Sequence, residues 1–357
     1  MVQKWRSRKL GEICDIYQPQ TITSNEIVKE GPFKVFGANG VIGYYTKYNH
    51  EDAEVLVTCR GATCGTLNMS EPKSWITGNA MVVHPKDGKV LSRDFLYYTL
   101  KNFNLSRTIT GTGQPQITRN SLSPFQIPLP PLEIQKQIVE RLDKIVEAQK
   151  LNDDLIQKTD ELFQSLLHKE LNLAGKDWEV KKLGDIAEVI MGQSPPSSSY
   201  NEQGEGLPFF QGKAEFGEMY PTPVKYCPSP TRIAEAGDIL MSVRAPVGNI
   251  NLAKEKSGIG RGLGAIRAGK GVDQSFLYFF FLKNENNWSR LSVGSTFLAI
   301  RRSNLDNLKI PLPPLETQKQ IVAKLSAVQE YKTGLIAQRT KLKELFNSAL
   351  HKSMSNK

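Results

Sequence analysis

A proline-rich segment occurs twice in the chain, and this repetition limits the possible folds more than any other feature of the sequence. Residues 127–140 read Ile-Pro-Leu-Pro-Pro-Leu-Glu-Ile-Gln-Lys-Gln-Ile-Val-Glu, and 12 of these 14 residues recur at residues 310–323, an offset of 183. The offset persists downstream, where residues 161–169 return with two changes at residues 344–352. Repetition at a fixed offset predicts two copies of one structural unit.

Each copy of the segment predicts the start of a long helix. Paired prolines before an acidic residue suit a helix N-terminus, where the missing N–H is not needed and the carboxylate meets the helix dipole. Residues 132–174 contain neither proline nor glycine, and the second copy contains only Gly334. The sequence therefore predicts two helices of unusual length.

Apolar residues recur in these two helices at alternating spacings of three and four, which is typical of a coiled coil. The predicted contact line consists of Ile138, Leu142, Ile145, Ile156, Phe163 and Leu166 in the first helix and Ile321, Leu325, Val328, Leu335, Leu342 and Phe346 in the second. Residues 133–170 carry a net charge of −3 and residues 316–352 a net charge of +4, so the two helices should pair with each other. The alternative is two independent amphipathic helices, each lying on its own globular domain.

The segments before the two helices also resemble each other. Trp5, Leu10 and Gly11 correspond to Trp178, Leu183 and Gly184. In both segments a buried strand is expected to enter a glycine-containing turn with an arginine at its tip, Arg60 or Arg244. The predicted fold class is α+β, with two tandem α/β domains, two long antiparallel helices forming a coiled coil, and a pseudo-twofold, circular arrangement. The expected boundaries are 1–126 and 173–309 for the domains, and 127–172 and 310–357 for the helical segments.

The two globular segments differ most in residues 33–50 and 194–226. The first stretch predicts a strand–turn–strand hairpin with Asn39-Gly40 at its turn. The second is rich in proline, serine, glycine and aromatic residues. A duplicated frame with diverged loops indicates two different recognition surfaces, although drift after duplication would also produce such differences.

The charge of the chain is +10, and most of the excess lies in the globular segments, with +5 in residues 1–132 and +3 in residues 171–315. Two basic domains favour a nucleic acid as the partner. No apolar run is long enough to span a membrane and no hydrophobic signal region opens the chain, so a cytoplasmic protein without a membrane partner is expected. The four cysteines form no CxxC pair, and no metal site is predicted.

The near matches to catalytic motifs in the sequence are better explained as turns. Residues 264–271 lack the Ser/Thr that a phosphate-binding loop needs for Mg²⁺, and no helical pattern follows the glycines of residues 260–265. Residues 194–197, Ser-Pro-Pro-Ser, lack the amide and the aromatic ring of an adenine methyltransferase motif. No HExxH or GxSxG is present. The sequence predicts no catalytic residue and a protein that is not an enzyme.

Taken together, the repeated motifs resemble the specificity subunits of Type I restriction-modification systems over essentially the whole chain. The resemblance rests on the motifs at residues 127–133 and 310–316, 5–13 and 178–186, 37–40, and 192–196. It implies two target-recognition domains that read the halves of a split, asymmetric site in double-stranded DNA. It also implies that the helices space the domains and dock two modification subunits. Those partners would bind S-adenosylmethionine and methylate adenine N6, restriction subunits would join them, and this chain would hold no cofactor.

Base reading requires Arg, Asn or Gln side chains on loops, with Lys, Ser and Thr at phosphates. The predicted DNA-binding residues are Arg60, Thr63, Gln114, Gln116 and Arg119 in the first domain and Gln211, Lys213, Arg244, Arg301 and Arg302 in the second. A framework salt bridge is the alternative for Arg60 and Arg244, and an ordinary solvated surface is the alternative for the others. Two other functions remain open: a scaffold that reads no DNA, and a self-contained methyltransferase or nuclease.

Overall fold

The computed structural model describes residues 5–37, 39–111, 114–291 and 299–354. One predicted feature, the motif at 37–40, therefore lies partly outside the described residues. The chain divides into two units. Unit 1 contains Met1–Asp154 and Ile336–Lys357, and unit 2 contains Leu155–Leu335. Each unit thus holds one globular domain together with a part of each long helix.

The domain of unit 1 is built on a four-stranded antiparallel sheet of order β2-β8-β5-β6 and a three-stranded sheet of order β4-β3-β7. A third sheet pairs β1 with β9, immediately before the first long helix. The elements are β1 (Arg6–Lys9), α1 (Leu10–Ile13), β2 (Cys14–Tyr17), β3 (Phe33–Gly37), β4 (Gly40–Tyr45), β5 (Val55–Thr58), β6 (Leu67–Met69), β7 (Trp75–Ile76), β8 (Ala80–Pro85), α2 (Arg93–Asn102), α3 (Arg119–Leu122), β9 (Gln126–Leu129) and α4 (Leu132–Glu170). Short 3-10 helices cover Ser24–Glu26 and Leu105–Thr108.

Unit 2 repeats this plan in the same chain order. Its sheets have the orders β11-β18-β15-β16, β13-β12-β17-β14 and β10-β19. The elements are β10 (Glu179–Lys182), α5 (Leu183–Ile186), β11 (Ala187–Met191), β12 (Leu207–Phe210), β13 (Tyr226–Cys227), β14 (Ile233–Ala234), β15 (Ile239–Ser242), β16 (Ile250–Leu252), β17 (Ser257–Ile259), β18 (Leu263–Ala268), α6 (Gln274–Lys283), α7 (Arg302–Asp306), β19 (Lys309–Leu312) and α8 (Leu315–Met354). Its 3-10 helices are Ser197–Ser199, Lys213–Glu215 and Glu285–Leu291. The predicted α+β repeat is confirmed.

The apolar runs of the sequence become the central strands of each domain. All four residues of β5 and all four of β15 are buried, because both faces of these strands are covered. The predicted hairpin is formed by β3 and β4, and Gly40 has a φ of +115°, in the region that favours glycine. The apolar runs at residues 95–98 and 276–279 lie in helices α2 and α6.

The glutamine of the repeated motif fixes the start of each long helix. Gln135 is fully buried; its Nε2 donates to the carbonyl oxygens of Pro130 and Val90, each at 2.8 Å, and its Oε1 accepts from Ser92 N at 2.9 Å. In unit 2, Gln318 donates to the carbonyl oxygens of Pro313 at 2.8 Å and Gly271 at 3.4 Å, and it accepts from Asp273 N at 2.7 Å. Since the same bonds recur, the motif has a structural explanation: it attaches the first turn of the helix to the loop before α2 or α6.

In both units α4 and α8 run antiparallel to each other. In unit 1, Gln149 Nε2 donates to the carbonyl oxygen of Leu342 at 3.1 Å. Asn152 Nδ2, one turn further along α4, donates to Gln338 Oε1, one turn earlier in α8, at 3.3 Å. In unit 2, ion pairs join the two helices, including Lys324 Nζ to Glu170 Oε1 at 3.0 Å. The predicted pairing of the two helices is therefore confirmed within each unit.

The predicted contact line is also a line of contact with the domains. All twelve of its residues are buried or half-buried. Ile138, Leu142 and Phe346 belong to the same core cluster as residues of α2 and β5, and Phe163, Ile321 and Leu325 belong to the corresponding cluster of unit 2. The alternative of helices that lie on the domains was thus partly right, because each helix contacts both its partner helix and a sheet domain.

Four buried residues that continue this line were absent from the prediction. They are Leu167, Leu171, Leu350 and Met354. They lie at the C-terminal ends of α4 and α8, with Leu171 one residue beyond α4. Leu350 and Met354 belong to the core cluster of the unit 1 domain, and Leu167 and Leu171 belong to that of the unit 2 domain. None of the helices in the described parts of the chain combines the length and the apolar character that crossing a lipid bilayer requires.

Candidate nucleic-acid interface

The turn after β5 holds Arg60 next to the segment that contains Gln116. The two residues form an antiparallel backbone bridge, and beside it Ile117 N donates to the carbonyl oxygen of Cys59 at 2.9 Å. Gln116 also exchanges two backbone hydrogen bonds with Thr110, at 2.7 and 2.9 Å. Because residues opposite each other in an antiparallel pair project to the same face, the exposed side chains of Arg60 and Gln116 lie side by side.

The diverged hairpin of unit 1 reaches the same turn. Asn39 Nδ2 donates to Thr63 Oγ1 at 2.9 Å, and Thr58 Oγ1 donates to Asn39 Oδ1 at 3.1 Å. Thr63 is exposed and follows Arg60 by three residues. The hairpin turn therefore contributes an amide that contacts one of the predicted DNA-binding residues, Thr63.

A second turn, between β7 and β8, adjoins this group. Gln18 Nε2 donates to the carbonyl oxygen of Gly78 at 3.1 Å and to Cys59 Sγ at 3.0 Å. The Cys59 thiol donates to the carbonyl oxygen of Asn79 at 3.2 Å, and the Asn79 side chain is exposed. The first polar surface is defined here as Gln18, Asn39, Arg60, Thr63, Asn79 and Gln116.

Unit 2 has the same backbone arrangement around Arg244. Arg244 forms an antiparallel bridge with Ala299, and Ile300 N donates to the carbonyl oxygen of Val243 at 2.9 Å. Val243 N in turn donates to the carbonyl oxygen of Gly262 at 2.9 Å. Arg244 therefore occupies the place of Arg60, next to the turn between β17 and β18.

That turn in unit 2 presents a further arginine, Arg261. Its backbone N donates to Ser194 Oγ at 3.1 Å, while its side chain is exposed. A Cβ added to Gly260 would lie 3.3 Å from Gln211 Cγ, so the chain passes closely between Ser194 and Gln211. The second polar surface is defined here as Ser194, Gln211, Lys213, Arg244 and Arg261.

The arginines of both surfaces are available for a ligand. Arg60, Arg244 and Arg261 are exposed, and no carboxylate among the described residues lies within ion-pair distance of any of them. The framework salt bridge considered for Arg60 and Arg244 is therefore absent from this part of the chain. Unpaired guanidinium groups beside amide and hydroxyl side chains suit phosphate oxygens and base edges.

The remaining predicted residues lie at other places. Gln114 is exposed and precedes Gln116, which forms the backbone bridge with Arg60. Arg301 is exposed and follows Ala299, which forms the backbone bridge with Arg244. Arg119 lines a recess with residues of α1, and Arg302 lines the equivalent recess with residues of α5. Arg302 Nε also lies 3.4 Å from Asp306 Oδ2. The structure thus separates Arg119 and Arg302 from the contacts that define the two polar surfaces.

Five residues of the two polar surfaces were not predicted from the sequence: Gln18, Asn39, Asn79, Ser194 and Arg261. In the sequence, the glycines on either side of Arg261 match only a loose dinucleotide-binding pattern. For Asn79 and Arg261 a usable signal was present, because residues 77–80 and 260–263 lie at the repeat offset of 183 and the two central residues of each turn are one glycine and one polar residue. Aligning the two copies at these turns would have identified both residues.

The long helices of unit 2 carry an exposed apolar groove. Leu155 and Leu162 of α4 are 43% and 50% exposed, and Tyr331 of α8 is 56% exposed. Lys158, Thr159, Ala327 and Val328 complete the lining of the groove. A face of this kind on paired helices is suited to a protein partner.

A charged cluster connects the diverged loop of unit 2 to these helices. Lys332 of α8 binds Asp160 of α4 at 2.7 Å and also Glu218 of the loop. Burial acts to lower the pKa of Lys332, but the hydrogen bonds with Asp160 and Glu218 outweigh it and hold the pKa above its ordinary value. Among the residues that the structure describes, no group of three or more His, Cys, Asp or Glu side chains could hold a metal ion.

These features agree with what is found in known proteins. The sequence profile of the family described as the Type I restriction modification DNA specificity domain matches residues 2–159 and again residues 175–345. The chain belongs to this family. The two matched ranges correspond to the two copies of the repeat.

Individual relatives cover most of the chain. A Methanocaldococcus jannaschii protein, named as a type I restriction enzyme MjaX specificity subunit, is 39% identical over 300 residues, covering 78% of this chain and 69% of the relative. The crystal structure of the HsdS subunit from Thermoanaerobacter tengcongensis is 30% identical, with a TM-score of 0.56 over 98% of this chain and 96% of that one. A structure reported for complex assembly and conformational transition of the type I R-M system is also 30% identical, with a TM-score of 0.66, covering 98% of this chain and 97% of that one.

Proposed function

We propose that this chain is the DNA-specificity subunit of a Type I restriction-modification complex and that it reads a split, asymmetric DNA sequence. In this proposal, the first polar surface reads one half-site and the second polar surface reads the other. The observation that carries the proposal is that two copies of one backbone place an arginine at equivalent turns, Arg60 and Arg244, and surround it with different polar side chains. Equal surfaces would suit a symmetric site, whereas these two surfaces suit two unrelated half-sites.

The chemistry of the surfaces fits duplex DNA. Arg, Asn and Gln side chains can form paired hydrogen bonds with guanine and adenine in the major groove. The second polar surface contains three cations, Lys213, Arg244 and Arg261, and the first contains only Arg60. Binding by the second surface should therefore depend more steeply on salt, because each phosphate that is neutralised releases counterions.

In this proposal the two long helices set the gap between the half-sites. Each helix contributes to both units, α4 over Leu132–Glu170 and α8 over Leu315–Met354. The gap would then follow from helix length, since an α-helix rises about 1.5 Å per residue. Restriction and modification subunits would complete the complex, with two modification subunits bound to the helices.

The apolar groove lined by Leu155, Leu162, Ala327, Val328 and Tyr331 is the site we assign to one modification subunit. Methylation of adenine N6 and binding of S-adenosylmethionine would belong to that subunit, while this chain contributes no catalytic group. The lack of a convincing catalytic motif in the sequence supports this division of labour. Leu162→Glu should weaken binding of the modification subunit at one site, and Leu173→Glu, at an exposed leucine beyond the end of α4, serves as the control.

The function is tested with the chain assembled with modification subunits and incubated with a pool of random duplexes. Sequencing of the methylated fraction should recover one split sequence with a fixed gap. Equal methylation of all sequences, or binding that does not fall as salt rises, would instead support a scaffold that reads no DNA. Deleting about one helical turn from both α4 and α8 should change the permitted gap or abolish methylation, and an unchanged gap would contradict the role given to the helices.

A further inference from the structure

The turn between β7 and β8 in unit 1 is held by two backbone hydrogen bonds. Thr77 N donates to the carbonyl oxygen of Phe36 at 3.0 Å, and Ala80 N donates to the carbonyl oxygen of Thr77 at 3.0 Å. The first bond attaches the turn to β3, and the second closes it over four residues. The two central residues, Gly78 and Asn79, therefore have a fixed place beside the end of the β3–β4 hairpin.

The turn between β17 and β18 in unit 2 has the same two bonds. Gly260 N donates to the carbonyl oxygen of Phe210 at 2.8 Å, and Leu263 N donates to the carbonyl oxygen of Gly260 at 2.9 Å. Its central residues are Arg261 and Gly262. Equivalent bonds to equivalent strands make this the same turn in both copies of the repeat, and it is called the shared turn below.

In unit 1 the shared turn leaves room for a side chain at only one of its two central residues. A Cβ added to Gly78 would lie 2.5 Å from Thr21 Oγ1 and 2.8 Å from the carbonyl oxygen of Pro19. A side chain at this position would collide with the loop after β2. Asn79 is exposed, and its side chain has no hydrogen-bond partner among the described residues.

In unit 2 the glycine is the second of the two central residues, whereas in unit 1 it is the first. A Cβ added to Gly262 would lie 2.0 Å from the carbonyl oxygen of Gln211, so only glycine fits there. Arg261 takes the other central position, with its backbone bound to Ser194 and its side chain exposed. The shared turn thus presents a single polar side chain in each unit, an amide in unit 1 and a guanidinium in unit 2.

These two side chains belong to the group that can distinguish bases. An Asn amide can pair with N6 and N7 of adenine, and an Arg guanidinium can pair with O6 and N7 of guanine, each through two hydrogen bonds. Close packing on both sides fixes the backbone beneath each side chain. A fixed backbone reduces the entropy lost on binding and favours a defined contact over a diffuse one.

We propose that the shared turn is a base-reading element in both units, with Asn79 contacting an adenine in one half-site and Arg261 contacting a guanine in the other. This proposal rests on the proposed function, which it deepens by assigning one base to each half-site. It adds two residues to those predicted from the sequence.

The test uses the full chain assembled with modification subunits, with random duplexes as the substrate and methylation as the readout. Arg261→Ala should reduce the preference for guanine at one position of one half-site by about tenfold or more, with preferences at the other positions retained. Arg261→Lys keeps the positive charge but cannot form the paired contact, so it should lose the same preference while keeping most of the affinity. Asn79→Ala should reduce the preference for adenine in the other half-site only.

Lys254→Ala is the matched control, because Lys254 is exposed in the same domain but precedes β17, whereas the shared turn follows it. This variant removes one positive charge and should leave every base preference unchanged. The inference is overturned if Arg261→Ala weakens binding to all sequences equally, which would indicate a phosphate contact, or if it changes nothing. If the wild-type complex itself shows no sequence preference, the proposed function fails, and this outcome is distinct from a specific wild type whose preferences survive the substitutions at Asn79 and Arg261.

Discussion

Units 1 and 2 share most of their interior contacts and differ mainly at the surface, and the shared turn shows both properties. The buried glutamines Gln135 and Gln318 make the same three kinds of hydrogen bond in both units. The shared turn keeps its backbone bonds as well, yet its exposed side chain is Asn79 in one unit and Arg261 in the other. The backbone therefore positions a side chain whose identity can change without affecting the fold.

One interior site also differs between the units: a buried carboxylate has a histidine partner in unit 1 and an arginine partner in unit 2. In unit 1 the buried carboxylate of Glu54 is 2.9 Å from His84 Nδ1. In unit 2 the buried carboxylate of Asp238 accepts two hydrogen bonds from Arg267, at 2.9 and 2.7 Å. The cation is permanent in unit 2, whereas in unit 1 it depends on the protonation of a histidine.

The largest effects should come from the phenylalanines that attach the long helices to the domains. Phe346→Ala in unit 1 and Phe163→Ala in unit 2 should each lower the free energy of unfolding by about 3–5 kcal/mol, since both side chains lie in core clusters. Hydrogen exchange should show the loss mainly in the unit that carries the substitution. The neighbouring exposed residues Leu345 and Leu162 are the controls, and their replacement by Ala should cost far less. If only one of the two phenylalanine substitutions lowered the free energy of unfolding strongly, the long helices would not be attached to the two domains in the same way.

Smaller but equal effects are expected at the motif glutamines. Gln135→Ala and Gln318→Ala should each cost about 2–3 kcal/mol, because each leaves buried backbone groups without partners. Chemical denaturation monitored by hydrogen exchange measures the loss for each unit. Gln137→Ala and Gln320→Ala alter exposed glutamines of the same helices and should be close to neutral. Loss of stability at the controls as well would mean that the buried bonds are not the cause.

The carboxylate sites should respond to pH in different ways. Burial raises the pKa of Glu54, and the hydrogen bond with His84 only partly opposes this. The contribution of Glu54 to stability is therefore greatest below its unfolded pKa of about 4.3 and is lost as pH rises through its higher folded pKa. His84→Arg supplies a permanent cation, which should lower the pKa of Glu54 and stabilise unit 1 at neutral pH by about 1 kcal/mol.

The reciprocal change, Arg267→His, should destabilise unit 2 by about 1–2 kcal/mol above pH 6.5, where the new imidazole is neutral. Below that pH the imidazole is charged, so the loss should shrink. Unfolding measured across a pH series distinguishes the two variants. If His84→Arg does not increase the stability of unit 1 at neutral pH, the lack of a permanent cation beside Glu54 is not what reduces stability there.

Much of the frame could be predicted because repetition and helical periodicity are local signals. The paired helices, the Asn39-Gly40 hairpin and the turns that carry Arg60 and Arg244 all follow from such patterns. The sequence could not show that Phe346 and Leu350 contact the domain, because the same apolar stripe of the helix makes both the helix–helix and the helix–domain contacts. The alignment of the two copies points to the turn that holds Arg261, but the exposure of its side chain results from close packing between distant segments at Ser194 and Gln211, which no short sequence pattern reveals.

The central claim is that each polar surface reads its own half of one DNA site, and Arg60→Ala and Arg244→Ala test it most directly. Both variants, assembled with modification subunits, would be used to methylate random duplexes that are then sequenced. The account predicts that Arg60→Ala relaxes base preference in one half-site and Arg244→Ala in the other, each by about 1–3 kcal/mol at the affected position, with the gap unchanged. Relaxation of the same half-site by both variants, or an equal loss for all sequences, would contradict it.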